Sequence, residues 1–255
     1  MNSKRKGVSE VVGYLLVFSI VVTIVSVIYA SGMPMVERTK ETSAFQSMET
    51  AFVTLQSTMK KVAFAQSPVR TTTLNMQMGS VSAHKNAGNI TIETDVSSNT
   101  TQFGSVEYVL GARKIRYENG AVIECCPGGA IIISDPLIYF MNTSGNAHLF
   151  ISVINASGTF SAGGGVAEMC MRQEDPKNDT KVIRRGSEPA VSYVNISVNS
   201  VCAYAWVTYL ENEAEKARLS VLSDNPGPSA TSGYVNVSDA PGLNLTLVTH
   251  NVTVS

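Results

Sequence analysis

From Val11 to Val36 the chain carries no charged residue, a run of 26 positions reading VVGYLLVFSIVVTIVSVIYASGMPMV. A helix that crosses a bilayer needs about 20 apolar residues. The β-branched residues in this run would weaken a helix in water. In hydrocarbon every backbone polar group must be paired within the segment, so helix is still the only choice for a single span. Gly13, Ser26 and Ser31 are small enough to let helices approach closely. Lys4, Arg5 and Lys6 precede the run, and Glu37 is the first charge after it. Positive charge stays on the cytoplasmic side. The expected topology is therefore a single pass, with a cytoplasmic N-terminus and the bulk of the chain extracellular. A cleaved secretory signal has a shorter apolar core, although Tyr29-Ala30-Ser31-Gly32 imitates its cleavage site. An uncleaved signal anchor also fits the run.

The helical pattern continues beyond the apolar run. Phe45, Met48, Phe52, Leu55, Met59 and Val62 recur at spacings of three and four, which places them on one face of a helix. Thr39, Gln46, Thr50, Ser57 and Lys61 fall on the opposite face. Pro34 stands near the join, and Pro68 marks the end. An anchor alone has no use for a second, amphipathic half.

The string Lys4-Arg5-Lys6-Gly7 followed by Val8-Ser9-Glu10-Val11-Val12-Gly13-Tyr14 resembles the processing site of archaeal type IV pilin-like proteins, with their class III signal peptide. The resemblance implies that a prepilin-type signal peptidase cuts between Gly7 and Val8. It implies that the apolar helix then packs with other pilin-like subunits in a filament core. Glu10 would be the third mature residue, and an acidic group there can pair with a neighbouring subunit's α-amine. Bacterial-type pilins carry that Glu at the fifth position, after an aromatic first residue. The likeness runs from Gly7 to about Gln66 and more weakly through Tyr117–Val122 and near Ala205-Trp206. There it is shared with membrane-anchored pilin-like families of unassigned function.

After residue 68 the texture changes to strands. Ile90, Ile92 and Val96 alternate with Asn89, Thr91, Glu93 and Asp95. Residues 106–118, then Asn119-Gly120 and Ala121–Glu124, read as a hairpin with an Asn-Gly turn. Residues 130–134, 148–154 and 191–202 are further strands. Gly163-Gly164-Gly165 reads as a turn, and 172–189 as a loop. Trp206, Leu210, Ala214 and Ala217 mark a short amphipathic helix over 203–219. The segment 234–255 reads as a final hairpin around Asp239-Ala240-Pro241-Gly242, with Leu243, Leu245 and Leu247 on one face. The predicted fold class is α+β: a long N-terminal transmembrane and stalk helix, then a mainly antiparallel β domain with one short packed helix. The predicted divisions are a basic leader (1–7), a transmembrane or filament-core helix (8–33), an amphipathic stalk (34–67) and an extracellular β-rich domain (68–255).

Composition bears on the setting of that domain. Only 15% of the 255 residues are charged, 19 Lys plus Arg against 20 Asp plus Glu, well under the roughly 25% usual for a soluble domain. There is no basic footprint for nucleic acid. Ser, Thr, Asn and Gly take the place of charge. Nine Asn-x-Ser/Thr sequons occur, at Asn89, Asn99, Asn142, Asn155, Asn178, Asn195, Asn236, Asn244 and Asn251, where this composition would give about three by chance. They read as glycosylation sites on solvent-facing side chains. Strand alternation by itself also generates Asn-x-Thr, and accounts for Asn89, Asn195 and Asn244. Loss of Lys4, Arg5 and Lys6 would leave 16 basic against 20 acidic residues, a net charge of −4.

Four cysteines, Cys125, Cys126, Cys170 and Cys202, all lie beyond the apolar run, where disulfides are the default. Neighbours rarely bond each other, so Cys125 and Cys126 are expected to pair separately with Cys170 and Cys202. Unpaired buried thiols and a four-cysteine zinc site are the other readings. No catalytic constellation emerges. His84, His148 and His250 stand alone and read as structural or surface residues. Asp175, Asp179 and Asp239 lack the calcium-loop pattern. Glu211, Glu213 and Glu215 form a solvated face with Lys216 and Arg218, and Trp206 reads as a core anchor. The expectation is a non-enzymatic protein without metal or cofactor: a pilin-like, minor subunit of a surface filament in the cell membrane. The alternative is a monomeric membrane-anchored binding or adhesion domain.

Overall fold

The computed structural model describes residues 4–255 apart from 65, 127, 144, 145, 175–190, 226 and 229. The chain divides into two compact units, Met1–Phe45 and Gln46–Ser255. Helix α1 (Lys4–Ala63) supplies all the described structure of the first unit and opens the second. The fold is the predicted one: a long N-terminal helix, then a mostly antiparallel sheet with one short packed helix.

The periodic stripe of α1 is its buried face. Phe45, Met48, Phe52, Leu55, Met59 and Val62 are each at most 1% exposed. Within the second unit this end of α1 is fixed by polar contacts as well. The buried Gln56 Nε2 donates to Gly120 O (2.7 Å) and Asp135 O (2.9 Å), while Ser134 Oγ donates to Gln56 Oε1 (2.7 Å). Gln173 Nε2 donates to Ala63 O (3.3 Å), one of the carbonyls that a helix C-terminus leaves without an internal donor.

Among the described residues eleven strands follow, in order β1 (Val69–Thr94), β2 (Ser98–Leu110), β3 (Arg113–Glu118), β4 (Ala121–Cys126), β5 (Gly129–Ser134), β6 (Ile138–Thr143), β7 (Asn146–Gly158), β8 (Phe160–Gln173), β9 (Val191–Ser200), β10 (Ser220–Asp224) and β11 (Ser232–Val254). Helix α2 (Ala203–Lys216) separates β9 from β10. The main strand order is β5-β4-β3-β2-β1-β8-β11-β7-β6. β9 pairs with both β1 and β11, and β10 with β11. All pairs are antiparallel except β11 with β7.

The Asn119-Gly120 hairpin forms as predicted. Both residues have positive φ, +45° and +79°, as the two-residue turn between β3 and β4 requires. A second tight turn, at Gly111-Ala112, divides the predicted 106–118 strand into β2 and β3. Gly111 takes the positive φ there, +61°.

Two predicted turns and one predicted strand position are different in the structure. Gly163–Gly165 lies inside β8, where the register with β1 shifts between Met76 and Ser80. Gly79, Gly164 and Gly165 all have positive φ at that shift, so the glycines build a bulge and not a chain reversal. Residues 239–242 do not make a hairpin. β11 runs through them and changes partners, leaving β9 and β10 for the parallel edge of β7. Pro241, which has no N–H to give, falls in the gap between the Ser238 and Leu243 pairings. Val96 is 57% exposed in the β1–β2 turn and does not join Ile90 and Ile92, which are buried. Most of the predicted 172–189 loop lies outside the described residues.

One core cluster gathers Ile90, Ile92, Phe103, Ile151, Val194, Ile196, Leu243, Leu245 and Leu247 with Trp206, Leu210 and Ala214 of α2. Burying the indole of Trp206 is the largest single contribution of α2, and its Nε1–H is satisfied as described below.

Candidate functional site

The apolar run forms a helix with no buried face. All 18 of its large apolar side chains from Val11 to Val36 are between 42% and 79% exposed. Its Ser and Thr hydroxyls are already satisfied internally. Ser19 Oγ donates to Leu15 O, Thr23 Oγ1 to Ser19 O, Ser26 Oγ to Val22 O and Ser31 Oγ to Val27 O, each at 2.7 Å. Hydroxyls bonded back to the preceding turn present no unpaired donor to hydrocarbon. At 1.5 Å per residue the run is about 39 Å long, against roughly 30 Å of bilayer core. Removing one such side chain fully from water is worth roughly 1.5–3 kcal/mol. This surface therefore calls for lipid or other apolar helices. The helix is long and apolar enough to cross a membrane once, with a mean hydropathy of 2.7 in its most apolar part. Gly7, Val8 and Glu10 lie in the first turns of α1.

The predicted glycosylation sites separate by geometry. Asn178 lies outside the described residues. The other eight are all half-buried. Asn155 Oδ1 accepts Gly104 N–H (3.0 Å), and Asn155 Nδ2 donates to Asn251 Oδ1 (3.1 Å) across the parallel β7–β11 pair. Asn244 Nδ2 donates to Ala147 O (3.3 Å). These three carboxamides are part of the fold. Asn89, Asn195 and Asn236 lie on one sheet face: Asn89 is opposite Asn199, and Asn195 and Asn236 share a row with Glu93, two same-face rows away. Asn99 lies opposite buried Ile92, and Asn142 is on β6.

Among the described residues one disulfide forms, Cys125–Cys202, joining β4 to the N-cap of α2. The predicted second bridge, Cys126 to Cys170, is not made, and both thiols are free. The ladder explains why. Cys125 is carried through Lys114, Val109 and Ser80 to Gly163, seven residues short of Cys170 on β8. At about 3.3 Å per residue that is roughly 23 Å along the strands alone, far beyond disulfide reach. Burial, above all, holds the Cys126 thiol above its ordinary pKa, and its hydrogen bond to Glu124 (3.4 Å) adds to the shift.

Beside the bridge lies a charge cluster that strand alternation does not announce. Glu118 is fully buried at the end of β3. Its Oε1 accepts Trp206 Nε1–H and Ser200 Oγ–H, both at 2.6 Å. Its Oε2 lies 3.5 Å from Arg116 Nη1. Arg116 Nε is 3.2 Å from Glu107 Oε2, and Arg116 Nη2 donates to Ser105 Oγ (3.0 Å). A buried carboxylate with charge and hydrogen-bond partners is affordable, and removing one partner would be costly. The cluster ties β2, β3, β9 and α2 together.

The remaining candidates are dispersed. His84 is exposed and bonds Ser82 Oγ (3.0 Å). His148 is exposed, and His250 is buried with its ring 4.4 Å from that of Phe64. Glu213 pairs with Lys216 (2.7 Å), and Glu211 accepts from Ser223. Glu215 is exposed, Asp239 lies in β11, and Asp175 and Asp179 are outside the described residues. Among the described residues no three His, Cys, Asp or Glu side chains cluster as a metal site would need.

A family profile described as "Family of unknown function (DUF7289)" matches residues 6–255. The chain belongs to this family. An uncharacterized protein of Archaeoglobus fulgidus is 29% identical over 80 residues, which is 31% of this chain. The match spans only 26% of that relative's length. The crystal structure of ywiB protein from Bacillus subtilis aligns over 69% of this chain and 97% of its own, at 8% identity and a TM-score of 0.18, too low to support any argument. This DUF7289 member is thus a membrane-associated protein with an N-terminal apolar helix and a β-rich domain.

Proposed function

We propose that the chain is a pilin-like, minor (sparsely incorporated) subunit of a cell-surface filament, structural and not enzymatic. The observation that carries this reading is the helix itself. It is apolar all round over Val11–Val36, has its hydroxyls bonded internally, and follows Lys4-Arg5-Lys6-Gly7. A prepilin-type signal peptidase cuts after Gly7, and the freed helix leaves the bilayer for a bundle of like helices. Glu10 meets the α-amine of a neighbouring subunit. The bulky β domain, which is extracellular in this reading, favours sparse incorporation over dense repetition. Glycans on its free sequons supply polarity that charge does not.

The test is incorporation. In the native host the wild-type chain should sediment with sheared surface filaments. Val21→Asp places a charge in the middle of the apolar run and should abolish incorporation while leaving the β domain folded. A wild-type chain found only as a detergent-extracted monomer would instead support a monomeric anchored binding domain.

A further inference from the structure

One face of the second unit carries an open cleft of about 290 Å³, lined by Asn89, Ser197, Asn199, Asp224, Ser232 and Tyr234 among others. Strand register builds it. Asn89 on β1, Asn199 on β9 and Ser232 on β11 stand directly opposite one another. The next row of the same face holds Ser197, Tyr234 and, on β10, Asp224. Neighbouring strands are about 4.8 Å apart, and same-face rows about 6.6 Å. Five polar side chains and one phenol ring thus converge on a small area.

Two properties suit the cleft to a ligand. Among the described residues the side chains of Asn89, Ser197, Asn199, Asp224 and Ser232 have no hydrogen-bond or ion-pair partner, which leaves their donors and acceptors open to a ligand. Tyr234 keeps 36% of its surface exposed at the rim, offering a flat apolar ring beside those groups.

We propose that this cleft binds a neutral saccharide. A carboxamide presents donor and acceptor together, which matches a pair of adjacent sugar hydroxyls that each donate and accept. The Asp224 carboxylate accepts from two hydroxyls, and an aromatic ring packs on the C–H face of a pyranose. The lining holds one carboxylate and no Lys or Arg, which disfavours uronates and phosphosugars. The volume is at the small end for a ligand site, suited to a terminal sugar and not an extended polymer. Asn89 is also a sequon, so the saccharide has two sources: a glycan tethered at Asn89, or a free or partner-borne sugar. The inference rests on the second unit alone, so it stands or falls separately from filament assembly.

The test uses the full chain in zwitterionic detergent, produced in a host without N-glycosylation. Saturation-transfer difference NMR is read with mannotriose, maltotriose and chitotriose, and with trigalacturonate as the anionic control. At least one neutral trisaccharide should show transfer, and trigalacturonate none. Tyr234→Ala and Asn199→Ala should each weaken binding roughly tenfold, a loss of about 1.4 kcal/mol. Tyr139→Ala, on β6 outside the cleft, should leave it unchanged. The native glycosylated chain, compared with Thr91→Val from the same host, separates the sources, because that change removes the Asn89 sequon and leaves every lining residue in place. Binding regained only in Thr91→Val identifies the tethered glycan as occupant, and equal binding in both identifies a free sugar. No transfer from any neutral trisaccharide, or transfer unaffected by Tyr234→Ala and Asn199→Ala, overturns the proposal.

Discussion

The two ends of α1 are made of similar residues and have opposite fates. From Val11 to Val36 the apolar side chains cover the whole circumference, and every large one is exposed. From Met48 to Val62 they form one stripe, and that stripe is buried in the chain's own fold. The difference lies in periodicity more than in hydrophobicity. An apolar stripe at spacings of three and four can be covered from one side, so it belongs to a domain core. An all-round apolar surface can be satisfied only by surroundings on every side, either lipid or a bundle of helices.

The most severe way to break the comparison is to cut the same side chain at both ends. Phe52→Ala empties a fully buried site and should lower the unfolding free energy of the β unit by about 3–5 kcal/mol. Phe18→Ala removes a 66% exposed ring and should leave that free energy within about 0.5 kcal/mol. Denaturant titration in detergent, followed through the single Trp206, reads both. Equal losses would mean that the apolar run is part of the domain core.

The disulfide of the β unit sharpens the contrast. Cys125–Cys202 closes a separation of 77 residues, for which chain entropy gives about 4.5 kcal/mol as an upper figure. Cys125→Ala/Cys202→Ala should lower the melting temperature of the β unit, whereas Cys170→Ala should leave it nearly unchanged. Intact mass after alkylation without reductant should show two modified thiols.

Sequence legibility follows the same division. The apolar run, the stripe, the Asn-Gly turn and the Leu243-Leu245-Leu247 alternation were all readable because each obeys a local period. The Glu118 cluster was not. Alternation assumes a strand with one wet face, but Ile115 to Asn119 are all at most 5% exposed, covered on both sides. A charged pair, Arg116 and Glu118, therefore sits where the pattern implies solvent. β11 misled for another reason: Asp-Ala-Pro-Gly is a turn signal, but here it lets one strand change neighbours. The cleft around Tyr234 is likewise assembled from β1, β9, β10 and β11, and no local window contains it. Of the disulfide framework, the adjacent-cysteine argument separates Cys125 from Cys126 but leaves open which of Cys170 and Cys202 each meets, and only the ladder reveals that Cys170 is out of reach.

Two smaller effects test how far the domain depends on its polar interior. Trp206→Phe removes the N–H that Glu118 accepts and should cost about 1–3 kcal/mol, read by thermal unfolding in circular dichroism. Glu49 gives the smallest effect. Burial, then the nearby Glu124, raise its pKa above the ordinary 4.5, while Arg113 opposes them. The folded chain therefore binds this proton more tightly than the unfolded chain. That contribution is complete below about pH 4.5 and is lost as pH rises through the raised value. Glu49→Gln should flatten this fall when unfolding midpoints are compared from pH 4 to pH 7.

The central claim is that the apolar end of α1 becomes the start of a mature subunit packed among like helices. Intact-mass and N-terminal analysis of the protein recovered from native surface filaments tests it most directly. A mature chain beginning at Val8 and present in the filament fraction is the predicted result. A chain that retains Met1–Gly7 and extracts only as a monomer would contradict it.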